Sequence, residues 1–196
     1  MDQYAVVGNP IAHSKSPSIH AHFAELTKQE LAYSTLLGDE VEFENQVREF
    51  FEKDGKGLNI TVPFKERAYA MCDILSQRAK QAGAVNTLLM GKNGDLFGDN
   101  TDGIGMVRDI IHNHGLSLTD KRILLLGAGG AVRGVLEPVL AENPESVTIA
   151  NRTLEKAQSL ADQFDCLASS FEALEGPFDI IINGTSASLS GSLPDR

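Results

Sequence analysis

Apolar positions along the first half of the chain alternate between strand and helix spacing. "YAVVG" at 4–8 and "LAYSTLLG" at 31–38 are apolar runs of strand length. Between them, "SPSIHAHFAELTKQ" at 16–29 predicts a helix that Ser16 can cap, with Pro17 suited to its first position. "FENQVREFFEKDG" at 43–55 sets Phe43, Val47, Phe50 and Phe51 on one helical face, and Gly55 fits its stop. "LNITV" at 58–62 alternates, so Leu58, Ile60 and Val62 belong on a core face, with Asn59 and Thr61 opposite. "PFKERAYAMCDIL" and "SQRAKQAG" predict short helices. "AVNTLLM" and "GDLFGDN" predict strands joined at "GKNG", where Asn93-Gly94 signals a hairpin.

The second half is more regular. "TDGIGMVRDIIHNHG" at 101–115 predicts a helix, and "SLTD" at 117–120 marks a boundary. Strand "RILLLG" (122–127), helix "AVRGVLEPVLAEN" (131–143), strand "SVTIANR" (146–152), helix "LEKAQSLADQF" (154–164) and strand "FDIIINGTS" (178–186) follow. Strands alternating with helices predict a doubly wound parallel sheet. The fold class is therefore α/β. A first α/β domain is expected over residues 1–102, a connecting helix over 103–116 and a dinucleotide-binding type of domain over 117–196. Such a sheet usually has about six strands. Residues beyond 121 supply three clear ones, with "CLASSF" a candidate fourth, so that domain is expected to be incomplete.

Composition narrows the partners. The 196 residues carry 17 basic and 27 acidic side chains, a net charge of −10, which argues against nucleic acid or an anionic membrane surface as a main partner. No apolar run has the length of a membrane span. The start "MDQYAVVGNP" lacks a basic segment followed by an apolar one, so no signal peptide is expected and the cytoplasm is the default location. Cys72 and Cys166 stand alone, which predicts neither a disulfide framework nor a metal site.

"LLLGAGGAVRG" places Gly127, Gly129 and Gly130 where a strand turns into a helix. Glycines there allow a tight turn, and the helix start favours a pyrophosphate. The third glycine of the strict G-x-G-x-x-G spacing is replaced by Val132. The next strand ends "ANRT", with Asn151 and Arg152 where NAD-binding sheets usually carry an acid. A guanidinium suits a 2′-phosphate, and Lys156 can add charge, so NADP is favoured over NAD. In the first half, Ser14 and Ser16, Asn59 and Thr61, Lys65, Asn86 and the run Asp99–Asp102 lie mostly at strand ends. Lys65 opens a predicted helix, where a cation is mildly disfavoured. Each residue taken singly has an ordinary explanation: a solvated face, a helix cap or a surface lysine. As a set they suit a polyhydroxylated ligand, and Lys65 suits its carboxylate or a proton transfer.

Through "GNPIAHSKSPSIH", "NITVPFK", "GAVNTL", "GDNTDG", "GAGGAVRG", "NRT" and "NGTSASLSG", in that order, the whole chain resembles the shikimate dehydrogenase family. The resemblance implies NADPH-dependent reduction of 3-dehydroshikimate to shikimate in aromatic amino-acid biosynthesis. It also implies a substrate domain followed by a nucleotide domain, with the active site in the cleft between them. It places the substrate carboxylate on Ser14 and Ser16 and the substrate hydroxyls on Asn59, Thr61, Asn86 and Asp102, and it makes Lys65 and Asp102 the catalytic pair. It further places the pyrophosphate on Gly127, Ala128, Gly129, Gly130 and Ala131, the 2′-phosphate on Asn151, Arg152 and Thr153, and the nicotinamide side near Thr185 and Ser186. Two departures stand out. Gly184 occupies a position where the family more often has Ala. Family members also continue well beyond this chain's last residue, which implies a fragment with little or no turnover. A quinate-using or NAD-using variant, a module that binds without turnover, and an assembly fragment that binds neither ligand all stay open at this level. So does the choice between monomer and homodimer.

Overall fold

The structure is a computed structural model that describes residues 1–185. The chain divides into two compact units, Met1–Thr101 and Asp102–Arg196.

The first unit is built on β1 (Asp2–Gly8), α1 (Ser16–Thr27), β2 (Leu31–Leu37), α2 (Phe43–Glu52), β3 (Gly55–Ile60), α3 (Lys65–Met71), β4 (Ile74–Leu75), α4 (Gln77–Ala82), β5 (Thr87–Met90) and β6 (Leu96–Asp99). Its sheet order is β2-β1-β3-β5-β6-β4. β2, β1 and β3 run parallel, and β5 pairs antiparallel with both β3 and β6. The β5–β6 hairpin turns through Gly94 at a φ of 86°, a conformation glycine reaches without steric cost. Ala5, Val7, Leu58, Ile60 and Leu88 of the sheet pack with Phe43, Val47 and Phe51 of α2 and with Phe64.

Four local expectations are corrected. Val62 is 55% exposed and Phe64 takes the core place, because β3 ends at Ile60. Pro63 has no N–H to continue a ladder, and the Thr61 carbonyl accepts the Phe64 N–H to close a turn. Ile74 and Leu75 form a strand rather than a helix end. Asp73 holds them there by exchanging bonds with the Leu96 main chain: its N–H donates to the Leu96 carbonyl and its carboxylate accepts the Leu96 N–H. Ser16 is the first helical residue of α1, not its cap. Lys15 stands at the cap position, and the Ser16 N–H donates to Ser14 Oγ. The predicted helix over 101–115 is α5 (Asp102–Arg108) continued by one π-helical stretch, Asp109–Asn113.

The second unit carries α5 and then β7 (Arg122–Leu126), α6 (Gly130–Leu140), β8 (Ser146–Ala150), α7 (Leu154–Phe164), β9 (Leu167–Ser169) and β10 (Ile180–Asn183). Among the described residues these strands form a parallel sheet in the order β10-β7-β8-β9, so "CLASSF" does supply a fourth strand. Ile123, Leu125, Val147 and Ile149 pack against Val132, Leu136 and Val139 of α6 and against Ala157, Leu160 and Ala161 of α7. Arg122 binds Asp179 through side chain and main chain, pinning the starts of β7 and β10 together. No helix among the described residues is long and apolar enough to cross a membrane.

Asp99, at the end of β6, is the anchor of the run that leads to Asp102. Its carboxylate accepts from Arg78, from Ser76 Oγ and from the Asn100 N–H, and its side chain is only 14% exposed. Burial pushes the carboxyl upward, but these hydrogen bonds together outweigh it and leave it below the ordinary aspartate value. The ionised form therefore stabilises the fold above the unfolded value near pH 4, and that contribution is lost as pH falls through the lower folded-state value. Asp99→Asn is expected to cost about 2 kcal/mol at pH 7. Thermal melts should show the gap to wild type narrowing below about pH 4. A gap of constant size from pH 7 to pH 2.5 would contradict the ion-pair assignment.

Candidate functional site

In the first unit, polar side chains from five segments line up in one string. It starts in the segment before α1, where Ser14 Oγ accepts the Ser16 N–H at 3.3 Å. The Ser16 side chain lies beside the hydroxyl of Tyr33 on β2. That hydroxyl donates to Asn59 Oδ1 on β3 at 2.5 Å. Asn59 Nδ2 donates to the Asn86 carbonyl and to Thr87 Oγ1, each at 3.3 Å. Asn86, 8% exposed, accepts the Thr101 N–H on Oδ1 at 3.0 Å and donates from Nδ2 to Thr101 Oγ1 at 3.1 Å. Burial of this amide among apolar strands is stable because its groups are engaged. Its backbone serves too: Ile60 N–H donates to its carbonyl, and its own N–H donates to the Asp99 carbonyl.

The string brings together Ser14, Ser16, Asn59 and Asn86 of the residues expected from sequence. Tyr33 and Thr87 are members that sequence reasoning missed. Tyr33 lies in an apolar strand, and only its phenol hinted at a polar task. Burial pushes that phenol up to about 12, with the nearby Ser16 side chain opposing, so it stays a proton donor at neutral pH. His20 of α1 stacks on its ring with centroids 4.1 Å apart.

Thr61 and Lys65 lie just beyond β3. The Thr61 N–H donates to the Val7 carbonyl, and Gly8 leaves room for its methyl, since a Cβ there would lie 2.4 Å from Thr61 Cγ2. Lys65 is half-buried at the start of α3, and its carbonyl accepts the Val85 N–H at 2.9 Å, next to Asn86. Phe64 stacks on Phe43 at 4.5 Å, and Arg67 covers both rings while pairing with Glu44. These contacts fasten the lysine-bearing helix to α2. Asp102 is the first residue of α5 in the second unit.

The second unit gathers the glycine turn and the "NRT" segment at one sheet edge. Leu126 is the register partner of Ala150, so the chain leaves β7 and β8 on the same side. Gly127 has a φ of 105°, which a side chain rarely adopts, and its N–H donates to the Ala150 carbonyl at 2.7 Å. Gly129 precedes α6 and Gly130 begins it; both are exposed, with open space where a Cβ would stand. That open backbone at the start of an eleven-residue helix is the cradle a pyrophosphate needs, so the residues present fit a dinucleotide. Ala131 is exposed and Ala128 half-buried beside it. Asn151 Nδ2 donates to the Thr153 carbonyl, leaving Arg152, Thr153 and Lys156 exposed past the end of β8. Beyond β10, the N–H and hydroxyl of Thr185 both donate to Asn183 Oδ1. Ser186 lies outside the described residues.

Val132 and Gly184 are coupled. Val132 is buried in the position of the missing third glycine, and a Cβ on Gly184 would lie 2.5 Å from Val132 Cγ2. The glycine thus compensates for the valine across the helix–strand contact. Cys72 and Cys166 are free thiols pushed up to about 11, first by burial, and stay protonated at neutral pH.

Comparison with known proteins finds relatives along nearly the whole chain. A family model described as the shikimate dehydrogenase substrate binding domain matches residues 6–88, and one described as shikimate / quinate 5-dehydrogenase matches residues 109–190. A shikimate dehydrogenase (NADP(+)) of Hahella chejuensis is 56% identical over 198 residues, covering 99% of this chain and 73% of the relative. The crystal structure of an Ael1 enzyme from Pseudomonas putida superposes with a TM-score of 0.94 at 48% identity, covering 99% of this chain and 73% of that one. Shikimate 5-dehydrogenase from Thermus thermophilus, in complex with NADP(H) and shikimate, superposes with a TM-score of 0.86 at 35% identity, covering 95% of this chain and 69% of that one.

Gly184→Ala is expected to destabilise the second unit by about 1–3 kcal/mol through overpacking. In a Val132→Ala background the same change should cost at least about 1 kcal/mol less, because the clash has gone. Denaturant melts of the four proteins measure this coupling, and strictly additive effects would refute the compensation.

Proposed function

This chain belongs to the shikimate dehydrogenase family, and we propose that it reduces the ring ketone of 3-dehydroshikimate to the hydroxyl of shikimate with NADPH. The observation that carries the proposal is the polar string from Ser14 to Thr101, adjoining the backbone-fastened start of the Lys65 helix. It presents hydroxyl donors, amides and one ammonium, the groups that a ring bearing a carboxylate, hydroxyls and a ketone calls for.

In this reading the hydroxyls of Ser14 and Ser16 donate to the carboxylate. Asn59, Thr61 and Asn86 bind ring hydroxyls and fix the ring's orientation. The Lys65 ammonium delivers a proton to the ketone oxygen as the negative charge develops there, and Asp102 holds that oxygen and the ammonium in line. NADPH, when bound, supplies the hydride that the carbonyl carbon accepts. The amides at the start of α6 face its pyrophosphate. Arg152 and Lys156 would neutralise the 2′-phosphate, with Asn151 and Thr153 beside them, and Thr185 would serve the nicotinamide side. Hydride and proton together convert C=O to CH–OH, so the step balances.

Steady-state turnover with shikimate and NADP, beside calorimetric titration of each ligand, tests the assignment. Lys65→Ala should lower kcat about 10²- to 10⁴-fold with little change in KM. A large rise in KM at unchanged kcat would reduce Lys65 to a binding residue. For the cofactor, Arg152→Ala should raise KM for NADP about tenfold or more and leave KM for NAD unaltered. Equal effects on both cofactors would remove the 2′-phosphate role.

A further inference from the structure

We infer that Tyr33 is a positioning residue for substrate: its hydroxyl locks Asn59 as a hydrogen-bond acceptor. The inference rests on the substrate reading given above and goes beyond it by assigning direction to the Asn59 amide.

Both Nδ2 hydrogens of Asn59 are committed, one to the Asn86 carbonyl and one to Thr87 Oγ1. Its Oδ1 receives the Tyr33 hydroxyl. An amide oxygen has two lone pairs, so one acceptor position is left and no donor. Asn59 can therefore meet a ligand only by accepting from a hydroxyl of that ligand. A ketone or carboxylate oxygen at the same place would face the amide oxygen and be repelled. The Tyr33 phenol sets where that remaining lone pair points. The Ser16 side chain lies beside the same phenol, so the carboxylate-binding end and this hydroxyl-binding point are neighbours. The stacked His20 ring, from the helix that begins at Ser16, prevents the phenol from tilting away. This makes the pair Tyr33 and Asn59 a reader of hydroxyl against carbonyl at one ring position.

Titration of shikimate and NADP into wild type, Tyr33→Phe, Asn59→Ala and the double variant tests the inference. Tyr33→Phe should weaken shikimate binding about fivefold, as loss of one hydrogen bond does, with NADP binding unchanged. In the Asn59→Ala background the same change should cost less than twofold, because its effect passes through the amide. Tyr33→Phe binding shikimate as tightly as wild type would overturn the inference, and so would a full fivefold loss in both backgrounds. His20→Ala, which frees the phenol without removing its hydroxyl, should weaken shikimate about twofold; should Tyr33→Phe fail to fold, unchanged binding by His20→Ala overturns the inference instead. Wild type that takes up no shikimate refutes the substrate reading itself and this inference with it. Wild type that binds while Tyr33→Phe is indifferent refutes the role of Tyr33 alone.

Discussion

A single buried amide, Asn86, holds the first unit's polar groups in register. Its backbone continues the pairing of β3 with the antiparallel hairpin, and its side chain grips Thr101 from both ends. An unpaired amide at this depth would cost several kcal/mol, so the surrounding strands are constrained to supply its partners. Those same constraints aim Asn59, fix the run after Asp99 and place the Lys65 carbonyl on Val85, the residue before the amide. Positioning of these polar groups is thus a by-product of satisfying one buried side chain. Catalytic groups benefit from such supports, because small misplacements cost rate steeply.

The second unit solves a different problem. A dinucleotide needs backbone N–H groups that no side chain obstructs, and Gly129 and Gly130 leave that surface bare. The close helix–strand approach behind the turn usually depends on a further glycine. Here a valine fills that place and Gly184 on the neighbouring strand end gives way. Volume is conserved across the contact rather than at either position, as close packing requires. Read along the chain alone, the valine and the glycine stand as two unrelated features.

Much of this was legible in the residues. The glycine turn is local chemistry, so strand, turn and helix follow from adjacent positions, and α7 falls on the predicted 154–164. Asn93-Gly94 announced the hairpin, and the fourth strand of the second sheet lay in "CLASSF". Asn86 stood out because an amide within an apolar run demands partners. Tyr33 did not stand out, since a phenol in a strand is ordinary packing until its hydroxyl has a neighbour 26 positions away. Val62 misled for a related reason. Alternation assumes that the strand continues, and Pro63 ends the ladder before alternation can bury that side chain.

By itself, the order of residues determined most of the elements, the α/β class, the dinucleotide turn and the inventory of polar groups, because each depends on spacing over a few positions. Only the tertiary structure decided which of those groups meet. Tyr33, Asn59 and Thr101 are brought together by strand order and by β5 running against its neighbours. The coupling of Val132 to Gly184 likewise arises from β10 lying beside β7. Contacts between distant segments reflect how whole elements pack, and no local pattern encodes a distance across a sheet.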